Sequence, residues 1–182
     1  MKNYTKIQFA IGLLIMLAVV FRIIWVNKQY PQVQYQDVVL GQEAKWNDCT
    51  LKINGGKILD KEQAIEEFGK GIIKDLDGTV DFRLIEVNAT IKNTSDTNTV
   101  VYIYDLYIEN LTYANGIAAE IQKLTDTYRL DIDLKAKEEK QVKLCYVVYK
   151  NQFKKRDWNK MNLKDFWITG EYYPVKKRWY LL

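Results

Sequence analysis

The sequence predicts an all-β fold, an antiparallel β-sandwich with one short inserted helix, held behind a single N-terminal transmembrane helix. Three observations predict it. Residues 7–26, IQFAIGLLIMLAVVFRIIWV, form one nearly unbroken apolar run. Downstream, apolar and polar residues alternate with period 2, the spacing that sends successive side chains to opposite faces of a strand. Asn, Asp, Gly and Ser clusters separate these runs, and many short strands at close spacing are the pattern of a sandwich or barrel.

The apolar run comes first. A hydrocarbon core about 30 Å thick takes roughly 20 apolar residues in a helix, the length available here. The run continues through Phe21, Ile23, Ile24, Trp25 and Val26 without a small-x-small cleavage site, so it reads as an uncleaved signal anchor. No cysteine near its end suggests an acylated lipoprotein. Arg22 lies at the distal end, where its side chain can snorkel to the headgroups while Trp25 sits in the interface. Lys2 and Lys6 oppose Arg22 and Lys28, so the charge rule alone nearly ties. A short N-terminal tail is easily retained, and NKQYPQVQYQD reads as a polar tether. The expected order is a cytoplasmic tail (1–6), an anchor (7–26), a tether (27–39) and an extracellular domain (40–182).

The charge of +4, from 27 basic and 23 acidic residues, does not describe that domain. Without Lys2, Lys6 and Arg22, 24 basic residues face the same 23 acidic ones, a net of about +1. A nucleic-acid partner is not expected.

In WNDCTLKI, Cys49, Leu51 and Ile53 share one face, and Asn54-Gly55 is the residue pair that favours a tight hairpin turn. DKEQAIEEFGK reads as the inserted helix, with Asp60 as cap, Gln63 three residues on, Ile65 and Phe68 facing the sheet and Gly69 ending it. In DFRLIEVNATIKN, Val87, Ala89 and Ile91 alternate with polar residues, and the phase step at Leu84-Ile85 suggests a β-bulge. TVVYIYDLYIE reads as one strand, followed by GIAAEI, LDIDL, QVKLCYVVYK, DFWITGEYY and VKKRWYLL. The inward phase nominates Leu51, Ile53, Val87, Ala89, Ile91, Val142 and Leu144 for the core. Pro31 and Pro174 fall outside the best strands.

The Gly41-Gln42-Glu43 segment leading into the first strand, the run Ile91-Lys92-Asn93-Thr94-Ser95-Asp96, and the late hairpin from Leu134 to Val142 complete a pattern with the N-terminal anchor. This combination resembles the telokin-like, immunoglobulin-fold domains of unknown function on Gram-positive bacterial surfaces, across most of residues 40–182. The resemblance implies an immunoglobulin-like form of the sandwich and a surface location, and it carries over no catalytic or binding residues. The chain departs from the pattern at Lys137, where glycine is usual before the glutamate of the late turn, and in lacking a lipoprotein cysteine.

Chemistry is sparse. The chain has no histidine, which removes the commonest general base and transition-metal ligand. Asp131 with Asp133, and Glu138 with Glu139, are carboxylate pairs more typical of a solvated face than of acid–base work. Asp75 to Asp81 resembles half a calcium loop, yet aligning Gly78 with the required glycine puts Ile73 and Leu84 where carboxylates are needed. No cofactor or metal is expected, a turn rich in Asp and Gly being favoured for this run over a non-standard calcium site. Cys49 and Cys145 could bridge in an oxidising exterior, but their strand parities place them on different layers, so separate thiols are favoured. Tyr102, Tyr104, Tyr107 and Trp179 are candidates for an interaction surface, with core or sheet face the competing reading. Lys154-Lys155-Arg156 with Trp158, and Lys176-Lys177-Arg178 with Trp179, could meet anionic lipid, although lysines protecting strand edges explain them more simply. The sequons at Asn88, Asn93 and Asn110 carry no weight beside a bacterial resemblance. The functional expectation is a membrane-anchored extracellular binding or accessory module, contacting an envelope or external protein or peptide. An immunity or regulatory accessory of a membrane transporter or peptide-export system is the alternative.

Overall fold

A computed structural model describes the whole chain except residues 1, 73–79, 126 and 128. The calcium-like run Asp75–Asp81 therefore lies mostly outside the described residues. Contacts divide the chain into two compact units, residues 1–34 and 35–182.

The first unit is helix α1, Lys2–Gln29. Leu, Ile, Val and Phe side chains leave it in every direction, so no polar stripe marks a water-facing side. Its segment Lys6–Gln29, 24 residues, is long and apolar enough to cross a membrane.

In the second unit one four-stranded sheet runs β2 (Glu43–Trp46), β3 (Cys49–Leu59), β4 (Phe82–Asn93) and β9 (Glu139–Tyr149), in that spatial order. A five-stranded sheet has the order β1 (Gln34–Val38), β11 (Val175–Tyr180), β10 (Trp167–Thr169), β6 (Tyr107–Glu109) and β7 (Ala114–Asn115). Strands β5 (Thr99–Tyr102) and β8 (Asp131–Leu134) pair separately. Every core residue nominated from the sequence is buried: Leu51, Ile53, Val87, Ala89, Ile91, Val142 and Leu144 join one cluster with Trp46, Ile108, Ile168 and Trp179 from both sheets. The result is a β-sandwich.

The four-stranded sheet is buried on its second face too. There Leu59, Phe82, Leu84, Cys145 and Val147 meet Ala64 of α2 (Lys61–Phe68) and Ile121 of α3 (Ala119–Gln122). Helix α2 starts as the sequence predicts. Asp60 accepts from the Gln63 amide at 2.9 Å, Gln63 accepts from the Asp60 amide at 3.0 Å, and Gly69 ends the helix at φ 83°.

This double burial corrects the bulge expected at Leu84-Ile85. Leu84 faces the helices and Ile85 the sandwich core, while β4 and β9 stay in unbroken register from Phe82↔Tyr149 to Lys92↔Glu139. The bulge lies instead at Asn54, where β3 shifts register between Ile53 and Gly55. The predicted Asn54-Gly55 hairpin is not formed. Strand β3 runs through it with Gly55 at φ 150°, and a Cβ on Gly56 would stand 2.7 Å from the Glu86 carbonyl. The hairpin falls one strand earlier, at Asn47-Asp48 between paired Trp46 and Cys49, with Asn47 at φ 51°.

Three further expectations change. TVVYIYDLYIE breaks into β5, a 3-10 turn over Ile103–Asp105 and β6, because burying both Ile103 and Leu106 carries the chain from one strand pair to the other sheet. GIAAEI ends in α3 rather than a strand, consistent with its helix-favouring Ala and Glu. Residues 34–38 of the expected tether form β1, drawn into the fold by buried Val38.

The outer edge of β9 is covered by side chains in place of a strand. Gln122, fully buried, accepts from the Cys145 amide at 3.1 Å and donates to the Lys143 carbonyl at 2.6 Å and the Thr127 carbonyl at 2.7 Å. The Ala118 amide donates to the Cys145 carbonyl at 2.8 Å, and Asn115 to the Val147 carbonyl at 2.8 Å. An edge so occupied cannot template another strand.

Candidate interaction surfaces

The residues nominated from the sequence do not converge on one site. In α1, the Arg22 guanidinium lies 4.7 Å from the Trp25 ring centre, one helical turn away. The two cysteines are free and buried on opposite faces of the four-stranded sheet. Cys49 is opposite Asn93 and Cys145 opposite Glu86, seven residues apart along β4. At about 3.3 Å per residue that is ~23 Å, far beyond disulfide reach. The possible bridge is therefore excluded. Burial pushes the Cys145 thiol up to about 12, with the nearby Glu86 carboxylate adding to the shift. It is an inert core residue.

Tyr102 and Tyr104 remain exposed, with ring centres 5.3 Å apart, while Tyr107 packs edge-on against Tyr172 at 6.0 Å. Trp179 is corrected as a surface candidate. It is fully buried, and its Nε1 donates to the Leu51 carbonyl at 3.1 Å across the sandwich. Its basic neighbours are neutralised by carboxylates: Lys176 by Glu109 at 2.6 Å, Lys177 by Glu171 at 2.7 Å and Arg178 by Asp37 at 2.6 Å. An anionic lipid would find little free charge there. Arg129 pairs with both Asp131 and Asp133.

The sequence reading missed the most polar construction in the domain, on the outer face of the five-stranded sheet. Glu109 of β6 is almost wholly buried. Trp167 Nε1 donates to it at 3.1 Å, Thr169 Oγ1 at 3.3 Å and Tyr172 OH at 2.6 Å, beside the Lys176 ammonium. Burial raises the proton affinity of this carboxyl, but Lys176, Tyr172 and Trp167 outweigh it and hold Glu109 below its ordinary range. Burial first, and then the Glu109 carboxylate to which it donates, push the Tyr172 phenol up. All four partners lie 58 or more residues away in sequence, so no local motif signals the cluster. A carboxylate whose oxygens are already filled by donors is poorly placed to take a proton from a substrate. Beside it, Arg178 lies 4.8 Å from the Tyr35 ring centre, joining β1 to β11.

A second buried carboxylate, Glu86, lies beneath α2 among Lys143 at 3.2 Å, Lys57 at 3.7 Å and the Glu67 that Lys57 meets at 2.6 Å. Burial pushes Glu86 up, against the pull of Lys143. Among the described residues, no cluster of three or more Cys, Asp or Glu could hold a metal ion.

An open concavity of about 730 Å³ lies between the β6–β7 turn and residues 152–167. Phe153 and Met161 are half-buried in its wall, and Leu111 projects from its rim, 92% exposed. Lys154, Lys160 and Lys164 line it with Asp157 and Asp165. Asp157 pairs with Arg156 at 3.2 Å, whereas the three lysines have no ion-pair partner among the described residues. The residues 154–156 cluster singled out from the sequence thus borders a cleft, with its Trp158 buried beneath.

These features define a β-sandwich domain behind an apolar N-terminal helix, with its strongest buried charges already paired. The chain belongs to the family described as Domain of unknown function (DUF5028), which it matches over residues 28–177. No curated protein matches it. Among solved structures it is similar to an uncharacterized β-sandwich protein from Clostridium difficile 630, at 15% identity and TM-score 0.44 over 83% of this chain and 97% of that one. It is also similar to a functionally unknown protein from Listeria monocytogenes EGD-e, at 12% identity and TM-score 0.43 over 70% and 69% of the two chains.

Proposed function

We propose that this chain is a single-pass membrane protein whose β-sandwich stands outside the cell as a non-catalytic binding or accessory module for an envelope or external protein or peptide. The observation that carries the reading is α1, a helix apolar on every side whose span of 24 residues fits the bilayer. Paired Glu109, a Cys145 thiol held protonated and the lack of histidine support a role without catalysis. The resemblance to telokin-like immunoglobulin-fold surface domains supports an immunoglobulin-like sandwich on a Gram-positive surface.

The alternative is an immunity or regulatory accessory of a membrane transporter or peptide-export system. Protease added to intact cells should remove the sandwich and spare an N-terminal tag. Site-directed photocrosslinking from Tyr102 and Leu111 should trap a discrete envelope partner. A protected sandwich that is cut only after lysis would overturn the orientation, and crosslinking that yields no discrete adduct would overturn the binding role.

A further inference from the structure

We propose that the groove between the β6–β7 turn and residues 152–167 binds an acidic peptide segment carrying apolar side chains. This deepens the binding-module reading and rests on it. Residues 150–165 hold six basic residues, Lys150, Lys154, Lys155, Arg156, Lys160 and Lys164, against Asp157 and Asp165. That local net of +4 stands in a region, residues 27–182, whose total is 24 − 23 = +1, so the rest of it carries −3. Lys150 is engaged by Asp81 at 2.8 Å and Arg156 by Asp157, but Lys154, Lys155, Lys160 and Lys164 have no ion-pair partner among the described residues. The second basic-aromatic cluster differs, since Lys176, Lys177 and Arg178 are all paired, although Lys45, Lys52, Lys92, Lys135 and Lys140 also lack an ion-pair partner among the described residues. Unpaired lysines concentrated at one concavity are an anion-attracting field that lacks its complement.

The apolar groups decide which anion. Phe153 and Met161 are half-buried in the wall and Leu111 is 92% exposed on the rim, so an occupant gains by bringing apolar side chains as well as charge. A polyphosphate-type polymer offers none. A planar bilayer meets protruding surfaces, whereas Met161 and Phe153 are recessed, and Asp157 and Asp165 on the lining would face its headgroups. An extended acidic peptide can place carboxylates at Lys154, Lys160 and Lys164 and an apolar side chain against Phe153 and Met161. A cleft of about 730 Å³ accommodates a few residues, enough for recognition of a short segment.

The test uses the full chain in a neutral detergent and a fluorescein-labelled peptide of glutamates flanking leucines, with lysines replacing the glutamates in a control peptide. The glutamate peptide should bind saturably below about 1 mM and lose about tenfold in affinity between ~50 and ~300 mM NaCl, as a screened charge contact does. The charge reversal Lys160→Glu/Lys164→Glu should weaken it by about tenfold or more, and Leu111→Asp should also weaken it. Lys70→Glu/Lys123→Glu, equally exposed and outside the groove, should leave binding unchanged, and circular dichroism should report the same fold for all variants. Binding that ignores the groove variants would overturn the site while leaving the binding-module reading in place. No saturable binding of the glutamate peptide would also overturn it. Co-sedimentation with phosphatidylglycerol vesicles that the peptide fails to compete would assign the patch to lipid instead.

Discussion

Replacing Gln122 with alanine tests how the sandwich closes its most exposed long edge. The side chain is fully buried and makes four hydrogen bonds, to the Cys145 amide, to the Lys143 and Thr127 carbonyls and to the Thr125 hydroxyl. Truncation strands the first two on β9, since no other group among the described residues meets the Cys145 amide or the Lys143 carbonyl on that side. A stranded buried polar group costs about 1–3 kcal/mol, so two of them, with water reaching one, give a loss of about 3 kcal/mol. With a urea slope near 2 kcal/mol/M for a domain of this size, the midpoint should fall by ~1.5 M.

The assay is urea unfolding of the full chain in detergent, followed through the fluorescence of buried Trp46, Trp158 and Trp179. Amide exchange at Cys145 should accelerate in parallel. Gln122→Met restores volume without hydrogen bonds and should cost nearly as much as alanine. Gln122→Glu keeps an acceptor for Cys145 but cannot donate to Lys143 when ionised, so it should cost at least as much near neutral pH. A loss under about 0.5 kcal/mol for alanine, or full recovery with methionine, would refute the assignment of that edge to side-chain hydrogen bonding.

Four other outcomes follow from the same geometry. Ile91→Asp places a carboxylate at a fully buried position facing Leu51 across the β3–β4 ladder, and it should unfold the sandwich, seen as lost thermal cooperativity. Lys137 sits at φ 61°, so Lys137→Gly relieves about 1 kcal/mol of left-handed strain that Lys137→Ala retains, and thermal melts should rank glycine above alanine. Gly56→Ala drives a methyl group against the Glu86 carbonyl and should lower stability by about 1–3 kcal/mol in the same urea assay. Glu109 has a folded pKa depressed below its ordinary 4.5, so its stabilisation is present above pH 4.5 and is lost as pH falls through the folded value. Glu109→Gln should therefore be less stable than the parent at neutral pH and show a shallower loss on acidification, measured by melting temperature against pH.

Much of the fold was legible because one face of each long strand is strictly apolar. Leu51 and Ile53, Val87 to Ile91, and Val142 and Leu144 all carry that signal, and the parity of Cys49 and Cys145 correctly assigned them to different layers. The Asp60–Gln63 capping box was legible for the same local reason. What failed was whatever depended on a second contact. The Leu84-Ile85 step resembles a bulge in the sequence because helices cover the other face of β4, and a strand buried on both sides loses its alternation. Asn54-Gly55 has hairpin chemistry, yet pairing with β4 on both sides of the bulge outweighs it. Trp179 looked like a surface aromatic beside three cations, because the sequence does not show that Glu109, Glu171 and Asp37 reach them from distant strands.

The same distinction bears on where recognition resides. Burial forces polar groups to find partners, and apart from the Trp46 indole N–H the deep ones here largely have them: Gln122 closes an edge, Glu109 gathers β10, β11 and the Tyr172 loop, and fully buried Asn93 donates to the Thr97 and Lys135 carbonyls to tie two turns together. Groups satisfied in this way resist substitution because the fold needs them, so sensitivity to mutation at Glu109 or Asn93 reports on stability. Lys154, Lys160 and Lys164 answer no such demand. They are exposed, they repel one another, and no carboxylate among the described residues binds them, so folding alone gives no reason for their grouping beside an apolar cleft. Charge reversal at these lysines should leave the melting temperature within a few degrees of the parent, and any loss of partner capture can then be assigned to recognition.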